Sequence, residues 1–169
     1  MTGLGLIASH VAADAAGGAA AGASDEQRTL AAARDGLARE LERTGTMDAA
    51  IASYLPRYLA PAAYCERPDL VERLRAEMAR QDPAGCAQLI RGMQARVAGD
   101  DLLADVHVPA LVVAGAQDTY LDPETLRAIA QAMRATYVRL EGVGHLPTGE
   151  APRETGAALA EFAAAATRS

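Results

Sequence analysis

A chain of 169 residues with half its residues apolar and a net charge of −6 fits one ordinary domain with a real core. All sixteen basic residues are arginine and none form a block, while Trp is absent and Phe162 is the single phenylalanine, so neither a phosphate footprint nor stacking platforms for nucleic acid are present. No apolar run approaches the roughly 20 residues that span a bilayer, and the two cysteines, Cys65 and Cys86, lack metal-ligand spacing. The expected setting is the reduced cytoplasm, with no membrane and no nucleic acid among the partners.

The chain opens on GLGLIAS, Gly3 to Ser9, a short apolar run that reads as a buried strand. AADAAGGAAAGAS, residues 12–24, has no periodic apolar face and reads as a flexible connection. Ser24 and Gln27 fit a capping box, and Leu30, Leu37 and Leu41 recur on one helical face before Gly45 stops the run. Thr46 is placed to cap a second helix through Ile51 and Tyr54, ending before Pro56. Pro68 opens a third helix with Leu70, Val71, Leu74 and Met78, and Pro83 opens a fourth through Leu89, Ile90 and Met93. Residues 25–98 are therefore expected to form a block of about four helices. Cys65 and Cys86 fall inside it and read as small apolar fillers of helix interfaces.

The pattern changes at His107. PALVVAGAQD, Pro109 to Asp118, is apolar without alternation, as in a parallel strand covered on both faces. Asp122 and Pro123 supply an N-cap and first-turn proline for a helix carrying Leu126, Ile129, Ala130 and Met133. Thr136 to Leu140 reads as another strand, and Pro152 begins a last helix with Leu159 and Phe162. Right-handed crossovers make this tail a parallel β/α unit whose working loops lie at the carboxyl ends of the strands.

Asp118 and His145 each stand a few residues beyond such a strand end, so adjacent parallel strands bring both to one edge. A carboxylate on Nδ1 of an imidazole fixes its tautomer and leaves Nε2 as a general base. The residues alone also fit a plainer account, in which Asp118 is a turn residue and His145 an exposed loop histidine.

Gly115 to Asp118 followed by Pro123, then Gly144-His145 followed by Glu150 and Pro152, resembles the carboxy-terminal signature of the α/β-hydrolase fold superfamily. The resemblance is specific over Leu102 to Phe162 and looser over the helical block, where DPAGCAQLIRGM, Asp82 to Met93, is similar to a segment of the family's cap. It implies an α/β class and an incomplete α/β-hydrolase fold, with about three parallel strands, the sixth to eighth, flanking helices and an inserted cap. The implied core is residues 1–11 and 99–169, with 12–24 as connection and 25–98 as cap or lid. Asp118 becomes the triad acid and His145 the base, no metal or organic cofactor is implied, and a small-molecule ester, lactone or similar substrate is expected. Tyr54, Tyr58 and Met93 are the candidate substrate-binding residues, with Tyr64 and Leu55 beside them. Glu150 is read as a loop and helix-terminus carboxylate outside the triad.

Hydrolases of this type carry the nucleophile on a G-x-S-x-G elbow. Neither that motif nor its Cys or Asp variants occurs in the 169 residues. Ser9, at the end of the first strand, has no tight strand-turn-helix elbow around it to expose its hydroxyl. The amino-terminal half of the fold is thus expected to be missing and the chain alone inactive. The strand at Gly3 to Ser9 would then present an open edge to a second copy or a separate amino-terminal half. The alternative is a non-catalytic, hydrolase-derived interaction module or a truncated gene product.

Overall fold

The computed structural model describes residues 4–7, 25–95 and 99–167. Ser9, the connection over residues 12–24 and the Ser24 capping position lie outside the described residues. The chain divides into two compact units. One contains the sheet, Pro56–Leu70 and the chain from Asp100 onward; the other contains the helical residues up to Leu55 and from Val71 to Gly99. The segment Pro56–Leu70, expected within the helical block, therefore belongs to the sheet unit.

In the sheet unit, β1 (Leu4–Ile7), β2 (Ala110–Gly115) and β3 (Thr136–Leu140) form a parallel sheet in the order β1-β2-β3. Every residue of β2 is buried, as its unbroken apolar run requires of a central strand covered on both faces. Ala110, Val112 and Ala114 pack into a cluster with Leu126, Ile129, Ala130 and Met133.

The helix that follows β2 starts where its capping residue stands. The helix over Pro123–Ala132 has Asp122 as N-cap, whose carboxylate accepts from the amides of Glu124 and Thr125. The last helix spans Pro152–Ala166, and a short helix, Pro147–Glu150, precedes it. The buried Thr155 hydroxyl donates to Pro147 O at 3.0 Å and ties these two together. A 3-10 turn over Asp100–Asp105 leads into β2 and places Leu103 in the core.

In chain order the helices are α1 (Asp25–Thr44), α2 (Asp48–Tyr58), α3 (Pro61–Glu66), α4 (Pro68–Ala79), α5 (Pro83–Gln94), α6 (Pro123–Ala132), α7 (Pro147–Glu150) and α8 (Pro152–Ala166). Three expectations are corrected here. First, α2 runs through Pro56 to Tyr58 instead of stopping before the proline. Proline there removes one amide donor to the preceding turn, yet the helix completes another half-turn, which is what presents Arg57 and Tyr58.

Second, the buried face of α1 is Arg34, Ala38 and Leu41, while Leu30 is 40% exposed. In the helical unit α1 packs on α5, with Gln94 Nε2 donating to Ala31 O at 2.7 Å and Arg91 paired with Glu42 at 2.5 Å. Of the expected leucines Leu41 is fully buried, as the pattern requires, and the small Ala38 shares its face. Third, Cys65 is exposed and fills no interface, whereas Cys86 is half-buried. The core of this unit also holds Met47, Ala50, Ile51, Leu55, Ala87 and Ile90. Among the described residues no helix is long and apolar enough to cross a membrane.

Candidate functional site

Parallel pairing of β2 with β3, in register from Leu111↔Thr136 to Gly115↔Leu140, sends both following loops off the same edge of the sheet. The loops are joined by backbone bonds, Ala116 N to Leu140 O and Gln117 N to Val143 O, both 2.8 Å. Gly115 is required at this join. A Cβ there would sit 2.0 Å from Gly144 O and 2.5 Å from Val143 O, so only glycine lets the two backbones approach. Gly142, at φ +71°, turns the chain out of β3.

Across this join Asp118 Oδ2 lies 2.9 Å from His145 Nδ1. The Asp118 side chain is fully buried and that of His145 is 16% exposed. The second carboxylate oxygen, Oδ1, accepts from the amides of Tyr120 at 2.8 Å and Leu121 at 2.9 Å. Two backbone donors on one oxygen leave the other aimed at the ring, and an ionised carboxylate, which only accepts, selects the tautomer with its proton on Nδ1. Nε2 is then the basic nitrogen. Asp118 thus makes its turn and holds the imidazole at once.

The imidazole is walled by aromatic rings. Tyr58 stacks on it with centroids 5.7 Å apart at 25°, and Tyr120 is tilted against it at 4.8 Å. Tyr58 and Tyr120 meet edge-on at 6.1 Å, and the Arg57 guanidinium lies 4.9 Å above the Tyr120 ring. Such contacts restrict the ring to one orientation and bring a positive charge to the rim of the site.

Of the three substrate-binding candidates, Tyr58 lies against His145; Tyr54 and Met93 belong to the helical unit. Sequence reasoning misses Tyr120 and Arg57. Tyr120 stands two residues after Asp118 in D-T-Y, the only local signal for it. Arg57 carries none, because a helix is expected to end before Pro56.

Glu150 also differs from expectation. Its carboxylate accepts from Gly144 N at 2.9 Å and Ala60 N at 2.8 Å, bonding residues outside both neighbouring helices instead of the start of α8. Among the described residues no group of three or more His, Cys, Asp or Glu side chains is placed to hold a metal ion.

No protein-family model and no curated protein matches this sequence. Solved structures do. The chain is similar to a thermophilic esterase from Thermogutta terrifontis, solved with malate bound, at 25% identity and a TM-score of 0.84, over 98% of this chain and 56% of that one. It is similar to the enol-lactonase from Burkholderia xenovorans LB400 at 25% identity and a TM-score of 0.68, over 75% and 48%. A hydrolase from Pseudomonas aeruginosa PA01 matches at 24% identity and a TM-score of 0.76, over 94% and 54%. The chain spans about half the length of each of these three structures. It corresponds to the carboxy-terminal portion of the α/β-hydrolase fold.

Proposed function

We propose that this chain, the carboxy-terminal portion of an α/β-hydrolase fold, supplies the acid and base of a serine-type hydrolase acting on esters, lactones or similar small molecules. The observation that carries the reading is the 2.9 Å bond from a half-buried imidazole to a carboxylate whose other oxygen is held by two amides. A surface histidine has no need of such support. The esterase and lactonase among the similar structures favour the same chemistry.

In the assembled enzyme His145 Nε2 takes the proton of a serine hydroxyl as its oxygen bonds the acyl carbon. Asp118 stabilises the imidazolium that forms. The imidazolium then returns the proton to the departing alkoxide, leaving an acyl-enzyme. A water molecule, deprotonated by the same nitrogen, cleaves the acyl-enzyme and restores serine and neutral His145. Tyr58 and Tyr120 shape the approach to Nε2, and the helical unit takes the part of the cap. The serine and its oxyanion donors come from outside these 169 residues.

The test is an ester panel assayed with the chain alone and with the chain joined to an amino-terminal half carrying G-x-S-x-G, supplied by the coding sequence upstream of Met1 where that is in frame. Turnover only in the joined protein, abolished by His145→Ala, is the expected result. Turnover by the joined protein that survives His145→Ala overturns the assignment.

A second reading, an interaction module docked through the sheet, is favoured by one observation. Among the described residues β1 pairs only with β2, so its other edge meets no strand. Failure of every joined form to turn over ester, together with concentration-dependent self-association of the chain, would favour this second reading.

A further inference from the structure

The base loop and the segment beside it are fastened by one carboxylate. Glu150 lies five positions after His145, yet one of its oxygens accepts from Gly144, the residue immediately before the histidine, and the other from Ala60. Its own carbonyl accepts from Arg67 Nη1 at 2.8 Å, adding a second tie to the stretch following α2. That stretch adjoins Tyr58, the ring stacked on His145, and Arg57, which covers Tyr120 on the ring's other neighbour.

The approach is tight as well as bonded. A Cβ on Gly144 would fall 2.4 Å from Ala60 N and 2.6 Å from Leu59 C, and Leu59 and Ala60 are fully buried. Hydrogen bonds to an ionised acceptor are roughly twice as strong as neutral ones. Losing this acceptor strands two part-buried amides in the same place.

We infer that Glu150 is a positioning residue for His145, which clamps the histidine loop to the Arg57–Ala60 segment and so sets the Asp118 bond and the Tyr58 stack together. The pairing itself is a property of this chain; its consequence for turnover rests on the hydrolase reading above. Its two carboxylate oxygens bond Gly144 and Ala60, neither of which belongs to α7 or α8.

The test reads the imidazole directly in the full chain by NMR. The Nδ1 proton of His145 is expected far downfield, displaced by Asp118→Asn, with cross-relaxation between the Tyr58 and His145 rings. Glu150→Gln keeps the size and one acceptor; it is expected to retain the fold by circular dichroism while broadening the Nδ1 resonance and weakening the Tyr58 contact. Glu150→Ala is expected to lose both signals. A folded Glu150→Gln chain with both signals unchanged overturns the inference, even if Glu150→Ala fails to fold. Absence of the downfield resonance in the unsubstituted chain overturns the pairing on which it stands. Neither readout depends on turnover, so failure of the hydrolase reading alone would leave these signals as expected.

Discussion

Asp118 and His145, 27 positions apart, meet at 2.9 Å because two adjacent parallel strands deliver their loops to one edge. The carboxylate is held from behind by the amides of Tyr120 and Leu121, so its orientation is set before the imidazole arrives. The ring in turn is held between Tyr58 and Tyr120. Preorganisation of this kind means that a base spends no free energy on reorientation during proton transfer.

Replacing the carboxylate by its amide tests that arrangement. An asparagine in its place would still fit the turn, but its amide nitrogen cannot accept, and the imidazole loses the partner that selects its tautomer. In the joined enzyme Asp118→Asn is expected to lower kcat about 10⁴-fold with little change in KM. Steady-state kinetics on an activated ester check this, with circular dichroism as the control for folding. A loss of less than about tenfold would mean that Asp118 is not the orienting acid.

The core behind the site rests on a few large residues, since alanine supplies much of the apolar composition. Leu126 is fully buried between β2 and the rest of α6. Leu126→Ala removes its packing and leaves a cavity, for a loss of about 2–5 kcal/mol. The shift in urea midpoint gives the value. Leu89, 70% exposed, is the contrasting position, and Leu89→Ala is expected to fall within about 0.5 kcal/mol of the parent.

Tyr137 links β3 to the start of α6, its hydroxyl donating to Pro123 O at 2.9 Å. Burial, the largest cause, together with Glu124 raises its phenol above the ordinary value of 10.0, against the opposing pull of Arg127 and Arg139. A folded pKa raised above the unfolded one gives stability that is fully present below pH 10.0 and is lost as pH rises through the folded value. Tyr137→Phe is expected to cost about 1 kcal/mol at neutral pH through the lost hydrogen bond. It is also expected to flatten the alkaline fall in stability. Thermal unfolding of both chains from about pH 8 to about pH 11, a range that brackets the ordinary phenol pKa, decides the point, and parallel curves would exclude the phenol as its source.

How much of this is legible in the sequence depends on where each signal lies. β3 is readable to the residue and α6 at its first residue, because the strand is bounded by turn residues and the helix opens on Asp122-Pro123. The Asp118 and His145 pairing follows from the parallel topology those elements imply. What stays hidden is contact at long range. The bond from Ala60 to Glu150 crosses 90 positions, and no periodicity reports it. Short helices such as α3 and α7 show too few turns for a periodic face. On α1 the leucine pattern of Leu30, Leu37 and Leu41 holds at Leu41 and fails at Leu30, while packing also buries Ala38 and Arg34, since the fit to a neighbouring helix counts beside side-chain hydrophobicity.

The glycines separate close approach from backbone conformation and from mere helix weakness. At Gly144 an added Cβ meets backbone at 2.4 Å and 2.6 Å, and at Gly115 it meets Gly144 O at 2.0 Å, so nothing flexible can yield. Gly144→Ala and Gly115→Ala must push apart the very strands and loops that bring Asp118 to His145, and each is expected to cost about 3 kcal/mol or more. Gly142 has open space around it but φ of +71°, so Gly142→Ala carries only the left-handed backbone penalty of about 1 kcal/mol. Gly36 in α1 and Gly156 in α8 have neither constraint. Alanine there is expected to stabilise by about 0.5–1 kcal/mol through helix propensity and reduced freedom of the unfolded chain. Urea unfolding of the five variants should therefore order them with Gly36→Ala and Gly156→Ala above the parent, Gly142→Ala slightly below, and the two site glycines far below. If Gly144→Ala instead matched Gly142→Ala, the approach of the histidine loop to Leu59 and Ala60 would be looser than its distances require.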